Sequence, residues 1–424
     1  MINFLNNFIK TTNNLNRIAK SIKNLSKDTP VKKIFEAINN FSTDSEIRYV
    51  GGCLRKIIKK EYVDDIDLCT NLNPNQVCEA LKSKNINFHK TGIEYGTITA
   101  VIGDYNFEIT SLREDIETDG RHAEVKFSND WSKDAARRDF TFNSIYSDIK
   151  GNLFDPFNGK DDLEKGIIKF IGKPEQRIKE DYLRILRYLR FFLGYSNYSH
   201  DLKTSRLIKK NITGISKLSK ERLLNELKKY IDSNLLTKLS QDKFSVELFE
   251  IIFPQIKNIK IFSNPNKFAK MKIKEADFVF LLSILLIDRT DNLDYFLYKF
   301  NLSKKVQKRL KNINDFYKDS ITSKSLSEKK LNKLFYYKGK EFVIDILSYK
   351  IFTSKKIDNR LLDLIDKFKA KILPSMPIGA KVLIEKYDIP QGKNLGTKLK
   401  IIEEEWVNND FQLTDKQINK ILDH

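Results

Sequence analysis

Tyr49–Thr70 reads YVGGCLRKIIKKEYVDDIDLCT, and this stretch decides the fold class. The short apolar run Ile47–Val50 ends in two glycines, a basic helical turn follows, and an Asp-Ile-Asp then sits in an apolar setting. On a strand, side chains alternate between faces, so Asp65 and Asp67 point the same way while Ile66 and Leu68 enter the core. Two carboxylates on one face repel each other unless a cation lies between them. Gly51 and Gly52, without Cβ atoms, let backbone N–H groups approach a phosphate, and Arg55 can clamp it with two parallel hydrogen bonds. An ordinary turn and a solvated strand end would explain each half singly. Their spacing, with Arg55 three residues beyond the second glycine, points to a divalent metal and a triphosphate.

The surrounding chain is expected to complete that unit. Pro30–Asn40 and Pro74–Ser83 have helical apolar spacing, the second with Val77, Ala80 and Leu81 on one face. Gly96–Gly103 and Tyr105–Leu112 read as two strands joined by a turn at Gly103–Asp104. Phe107 and Ile109 then face inward and Glu108 outward, where it is either a third carboxylate beside Asp65 and Asp67 or a plain exposed residue. Arg113–Val125, polar and strongly charged, reads as a mobile loop. Asp134 is expected to head a helix that leads into Arg137, Arg138 and Asp139, with Phe140 and Phe142 pinning the backbone behind them. Asp155–Leu163 is turn chemistry, and Gly166–Gly172 reads as a short hairpin-like element. Beyond Pro174 the pattern is helical to the end, so the fold class is α+β, a mixed head followed by helices alone.

Arg177–Leu193, RIKEDYLRILRYLRFFL, reads as one amphipathic helix burying Leu186, Leu189 and Leu193. Asp181, Arg184, Arg187 and Arg190 recur every third residue and drift around its surface. Asp181 and Arg184 form either an ordinary surface ion pair or a reader of bases. Cytosine and adenine each show an amino donor beside a ring-nitrogen acceptor, whereas uracil and guanine show a carbonyl beside a ring N–H. A carboxylate only accepts and a guanidinium only donates. The pair therefore matches C and A and leaves desolvated groups unpaired against U and G. One protein site could select two nucleotides without a nucleic-acid template.

The 424 residues suffice for two or three domains. The 76 basic residues outweigh 56 acidic ones, a formal charge of +20, which points to a polyanionic partner. Cys53, Cys69 and Cys78 form no CxxC pair and suit a reducing compartment; a cytoplasmic location is expected. The four histidines are scattered, which argues against a zinc site of the His type. The most apolar run, Phe278–Ile287, is short, lies between Asp277 and Asp288 and reads as a buried helix, so no membrane span is expected. The first 27 residues lack acids and carry five basic residues. They are read as a basic helix in preference to a targeting signal.

Taken together, GGCLRK, DIDLCT, RRDFTFNSIY, DPFNGKDDL, EDYLRILRYLRF and SKERLLNELKKYI resemble, in order, the motifs of the class II tRNA nucleotidyltransferase and bacterial poly(A) polymerase family. The tail Asp388–Asp423, with Gly396 and Trp406, is similar to the ending of one bacterial subgroup. The resemblance implies a nucleotidyltransferase head like the DNA polymerase beta palm (29–150) after a basic extension (1–28). A base-selecting neck (151–235) and a helical body and tail that bind tRNA (236–424) would follow. It implies that Gly51, Gly52 and Arg55 hold the triphosphate of CTP or ATP, and that Asp65 and Asp67 carry two Mg2+ ions. Arg137, Arg138 and Asp139 would meet phosphate and ribose. Asp181 and Arg184 would read the base, with Arg187 and Arg190 in support. The implied activity is addition of C, C and A to the 3′ end of tRNA by a monomer or weak dimer. Poly(A) or A-only addition is the near alternative, and a non-catalytic RNA-binding protein or an interaction scaffold the more distant ones. Two positions depart from the pattern. Lys56 stands where the family usually has Asp, so any ion pair there is lost or reversed, and Ser144 replaces a usual Ala. The basic-aromatic signature of the poly(A) polymerase branch is absent from the matching region, FHKTGIEYGTIT.

Overall fold

The computed structural model describes residues 2–118, 123–318 and 326–422, arranged as two compact units, Met1–Glu226 and Leu227–His424. The tip of the charged 113–125 stretch (119–122), His122 with it, and the last two residues, Asp423 and His424, lie outside the described residues.

The first unit begins with α1 (Ile2–Asp28), α2 (Lys32–Asn39), β1 (Ile47–Val50), α3 (Gly52–Lys59), β2 (Asp67–Thr70) and α4 (Pro74–Ser83). Then come β3 (Asn87–Gly92), β4 (Thr97–Ile102), β5 (Tyr105–Ser111), β6 (Arg113–Thr118) and β7 (Ala123–Phe127). After these follow α5 (Trp131–Arg137), β8 (Tyr146–Ser147), β9 (Leu153–Phe154), α6 (Gly159–Lys165), α7 (Pro174–Glu180), α8 (Leu183–Tyr195), α9 (Leu202–Asn211) and α10 (Lys220–Asp232), the last crossing into the second unit. Seven strands form one mixed sheet in the order β3-β4-β5-β2-β1-β8-β9. Its central pair, β2 and β5, is parallel and sets Asp67 opposite Glu108. Period-two burial fixes that register: Leu68, Phe107 and Ile109 are each 1% exposed, while Glu108 is exposed.

The basic N-terminal segment is a helix whose Ile18 and Ile22 are fully buried. Arg17 donates to the carbonyls of Ile57 (3.2 Å) and Ile58 (3.2 Å), satisfying acceptors at the C-terminal end of α3. Pro74 at the start of α4 is preceded by a capping box, in which Asn73 accepts from the backbone of Asn75 and Gln76 while Gln76 accepts from the Asn73 N–H.

Four local expectations are corrected. The charged 113–125 stretch is a two-stranded antiparallel ribbon, β6 and β7, rather than a loop. Register is weakly specified where no alternating apolar pattern marks one face, so its sequence carries no strand signature. The helix before the Arg-Arg-Asp is headed by Asp130, which accepts from the N–H of Ser132 and Lys133; Asp134 is buried inside it. Gly166–Gly172 makes no hairpin, and only Phe170 bridges to Phe140. The Arg177–Leu193 helix is broken at Asp181, which is extended at φ −152° between α7 and α8.

The second unit is helical throughout its described residues. Phe278–Leu286 is its buried centre, opened by Asp277, whose carboxylate accepts from the Phe280 N–H at 2.9 Å. Arg309 makes a two-pronged pair with buried Asp345 at 2.8 and 2.9 Å. The tail packs around its own cluster, which includes Leu383, Leu395, Ile402 and Ile418.

Gly159 packs against the backbone of the Thr141–Asn143 turn. A Cβ there would lie 2.0 Å from the Thr141 carbonyl oxygen, a contact with backbone that no rotamer relieves. Gly159→Ala is expected to cost about 1–3 kcal/mol, read from the urea midpoint.

Candidate active site

The site forms where β1 turns into α3. Gly51 has φ +67°, a conformation L side chains rarely adopt. A Cβ on Gly51 would lie 3.6 Å from Asp67 Oδ2 and 4.0 Å from Arg138 Nη1, and one on Gly52 would lie 3.5 Å from the same carboxylate oxygen. Side chains at either position would fill the cradle over Asp67, so the two glycines keep it open above the start of a helix whose N–H groups face outward.

Asp67 opens β2, whereas Asp65 precedes the strand in a stretch without regular structure, so the expected pair is half on the sheet and half off it. Burial, and then the charges of Asp65 and Glu108, push the Asp67 carboxyl up to about 6; the Gly52 N–H and Arg138 act in the opposite direction. Such an acidic cluster is what a bound cation would relieve. The donors are carboxylate oxygens, which suit Mg2+ rather than zinc. Among the described residues no three His, Cys, Asp or Glu side chains close around an ion. Substrate phosphate and water would therefore have to complete the shell, as is usual for Mg2+.

Around this face the arginines are held by specific acceptors. Arg55 reaches from α3 to the Asn143 Oδ1 at 2.5 Å and lies 4.8 Å from the Phe191 ring centroid. Asn143 donates to Asp139 at 2.8 Å, and Asp139 accepts from Arg187 Nε at 2.6 Å. A polar chain thus runs from Arg55 on α3 to Arg187 on α8. Burial alone would raise the Asp139 carboxyl, but Arg187 and Asn143 hold it down near 2.

Arg137 and Arg138 share Asp134. Arg137 Nε donates at 2.8 Å, Arg138 Nε donates at 3.1 Å, and the Tyr146 hydroxyl donates to the same carboxylate at 2.7 Å. Burial opposes that charge, yet the two guanidiniums outweigh it and hold Asp134 well below the usual carboxylate range. Arg177, from α7, donates to the carbonyls of Arg137 and Arg138, which ties the Arg-Arg-Asp backbone to the neck.

Asp181 and Arg184 do not pair with each other. Asp181 accepts from Arg222 at 2.7 Å, and Arg184 donates to Glu180 at 2.8 Å and to the Arg177 carbonyl at 2.7 Å. Arg190 pairs with Glu226 at 2.6 Å. Phe191 sits among three guanidiniums, with Arg55, Arg187 and Arg190 at 4.8, 5.4 and 4.3 Å from its ring centroid. Sequence reasoning missed Asn143, Arg177, Arg222, Glu226 and Phe191 as parts of the site. Asn143, a polar residue between two aromatic stretches, carried a signal. Arg222 and Glu226, four apart on α10, read as a surface pair, and only the packing of α10 on α8 makes them partners of the neck.

Residues 47–169 match the family model described as the Poly A polymerase head domain. The chain is 33% identical over 385 residues to the human mitochondrial CCA tRNA nucleotidyltransferase 1, covering 88% of this chain and 85% of that one. It is 32% identical over 306 residues to the CCA-adding enzyme of Staphylococcus haemolyticus, covering 72% of each. In fold it is similar to the Bacillus stearothermophilus CCA-adding enzyme solved with CTP, at a TM-score of 0.69 and 20% identity over 93% of this chain and 97% of that one. It is also similar to the Thermotoga maritima CCA-adding enzyme solved with tRNA, at 0.62 and 20% over 95% and 98%.

Two outcomes follow from these charges. The folded Asp67 carboxyl holds its proton more tightly than the ordinary value of 3.8, so its contribution to stability is full below pH 3.8 and is lost as pH rises through about 6. Without added metal, the wild-type unfolding free energy should fall over that window relative to Asp67→Asn. Apparent Mg2+ affinity should drop roughly tenfold per pH unit below 6, because one proton competes with the ion. Separately, Arg187→Met leaves the Asp139 charge without its cation and should cost about 1.5–3 kcal/mol in a denaturant titration.

Proposed function

The chain belongs to the tRNA nucleotidyltransferase and poly(A) polymerase family, and we propose that it adds C, C and A to the 3′ end of tRNA from CTP and ATP, releasing pyrophosphate. The observation that carries the chemistry is the Asp67 carboxylate, raised by burial and then by the charges of Asp65 and Glu108 beneath the open glycine cradle. The relatives, named for CCA addition, support the choice of tRNA and of both nucleotides.

Asp65 and Asp67 would hold two Mg2+ ions. These ions supply a lowered pKa for the terminal 3′-hydroxyl and neutralisation of charge on the leaving pyrophosphate. The protein's own contribution is placement. Gly51 and Gly52 admit the triphosphate to the start of α3, and Arg55, steadied by Asn143 and Phe191, orients it for in-line displacement. Arg137 and Arg138, with their guanidiniums fixed on Asp134, keep positive charge beside the phosphates. Asp139 stands between Asn143 and Arg187 and transmits the position of α8 to the ribose side of the site.

Asp181 and Arg184 would read the base edge by exchanging their contacts with Arg222 and Glu180 for the amino donor and ring nitrogen of C or A. Arg187 and Arg190 would support that edge from the same helix. Exposed Lys304, Lys305, Lys308 and Lys311 on the helix Lys304–Lys318 would carry the tRNA backbone. No helix among the described residues is long and apolar enough to cross a membrane. Three buried free thiols suit a reducing compartment, and we place the protein in the cytoplasm.

The test is incorporation into tRNA lacking its 3′ CCA, with CTP and ATP supplied separately and together. Full CCA extension is expected, and ATP incorporation alone into unrelated RNA would instead mark a poly(A) polymerase. Asp65→Ala and Asp67→Ala should lose at least about a thousandfold in rate while still retarding tRNA in gels. The association constant should fall steeply between 50 and 200 mM salt, about 10³-fold or more if six phosphates are contacted.

A further inference from the structure

Residues 61–66, which lead from α3 to β2 and carry Asp65, have no regular secondary structure. They leave α3 through Lys60 in the left-handed conformation and regain the core only at Ile66, which is 6% exposed. Asp65 itself is exposed, so apolar packing does not hold it. The Glu61 N–H donates to the Lys56 carbonyl at 2.8 Å, the Glu61 carboxylate accepts from the Tyr195 hydroxyl at 3.2 Å, and Asp64 pairs with Lys56 of α3. Lys56, fixed on a regular helix, therefore grips the residue directly before Asp65.

We propose that Lys56 is a positioning residue which, through Asp64, sets Asp65 beside Asp67 and so forms the cation-binding face. The pair is weakly placed to stabilise the fold, since Asp64 is 62% exposed and exposed ion pairs contribute little. Its effect is geometric. Lys56 adjoins Arg55 on one helix, so a single rigid element carries both the triphosphate clamp and the anchor of the segment that holds the cation. Removing Lys56 would free that segment and would also leave Asp64 as an uncompensated negative charge beside Asp65.

The inference rests on Asp65 and Asp67 being the cation-holding pair. Its test measures Mn2+ binding to the full-length protein by electron paramagnetic resonance, without substrate turnover, alongside kcat and KM for CTP on tRNA lacking CCA. Lys56→Ala and Asp64→Ala are each expected to weaken Mn2+ binding roughly tenfold and to lower kcat more than they raise KM, with thermal midpoints close to wild type. The charge-swapped double variant Lys56→Asp with Asp64→Lys should recover most of the loss. Mn2+ affinity in Lys56→Ala equal to wild type, or a double variant no better than the weaker single one, would overturn the proposal. Wild-type protein that binds no Mn2+ would instead remove the premise about Asp65 and Asp67. Should Lys56→Ala lose its fold, Asp64→Asn provides the same comparison with a smaller change in shape.

Discussion

Buried carboxylates in the first unit are matched to guanidiniums, and the structure turns on the place where that matching stops. Asp134 has Arg137 and Arg138, Asp139 has Arg187, and Glu226 has Arg190. Asp67 is instead pushed up by burial and, after it, by the charges of Asp65 and Glu108. Charges withdrawn from water need partners of opposite sign. A half-buried carboxylate among like charges is therefore a site arranged for a partner the chain does not itself supply.

The remaining architecture keeps that face in register with a second group of charges. The parallel β2–β5 pair fixes Asp67 opposite Glu108, and the β1–α3 turn sets Gly51 and Gly52 over the carboxylate. From there, Arg55, Asn143, Asp139 and Arg187 link helix α3 to helix α8 by consecutive hydrogen bonds. A buried polar chain with every member satisfied is stiff, because breaking one link strands its neighbours in a low-dielectric interior. Helices α3 and α8 are thereby mechanically joined, with Phe191 acting as the flat surface on which three guanidiniums rest.

Asp181 and Arg184 are held differently. Asp181 pairs with Arg222 and Arg184 with Glu180, both contacts partly buried, and Asp181 lies at the break between two helices. An irregular backbone presents a side chain at an angle that a continuous helix would not reach.

The sequence alone determined the parts whose signal is local. Glycines before a helix, alternating apolar residues around Asp65 and Asp67, the outward Glu108 and the short buried helix at Phe278 all follow from periodicity and backbone sterics. The order of the motifs was enough to reveal the family. Tertiary structure decided what depends on distant partners. The β6–β7 ribbon pairs two charge-rich segments that carry no alternating apolar pattern, and Asp134 turned from an apparent helix cap into the anchor of two arginines once Tyr146 and β8 closed over it. Asp181 and Arg184 are adjacent in the sequence pattern, yet Arg222, 41 residues away, takes the carboxylate. Spacing reports which residues share a face; which charge meets which depends on how helices pack, and that is set by burial summed over the whole chain.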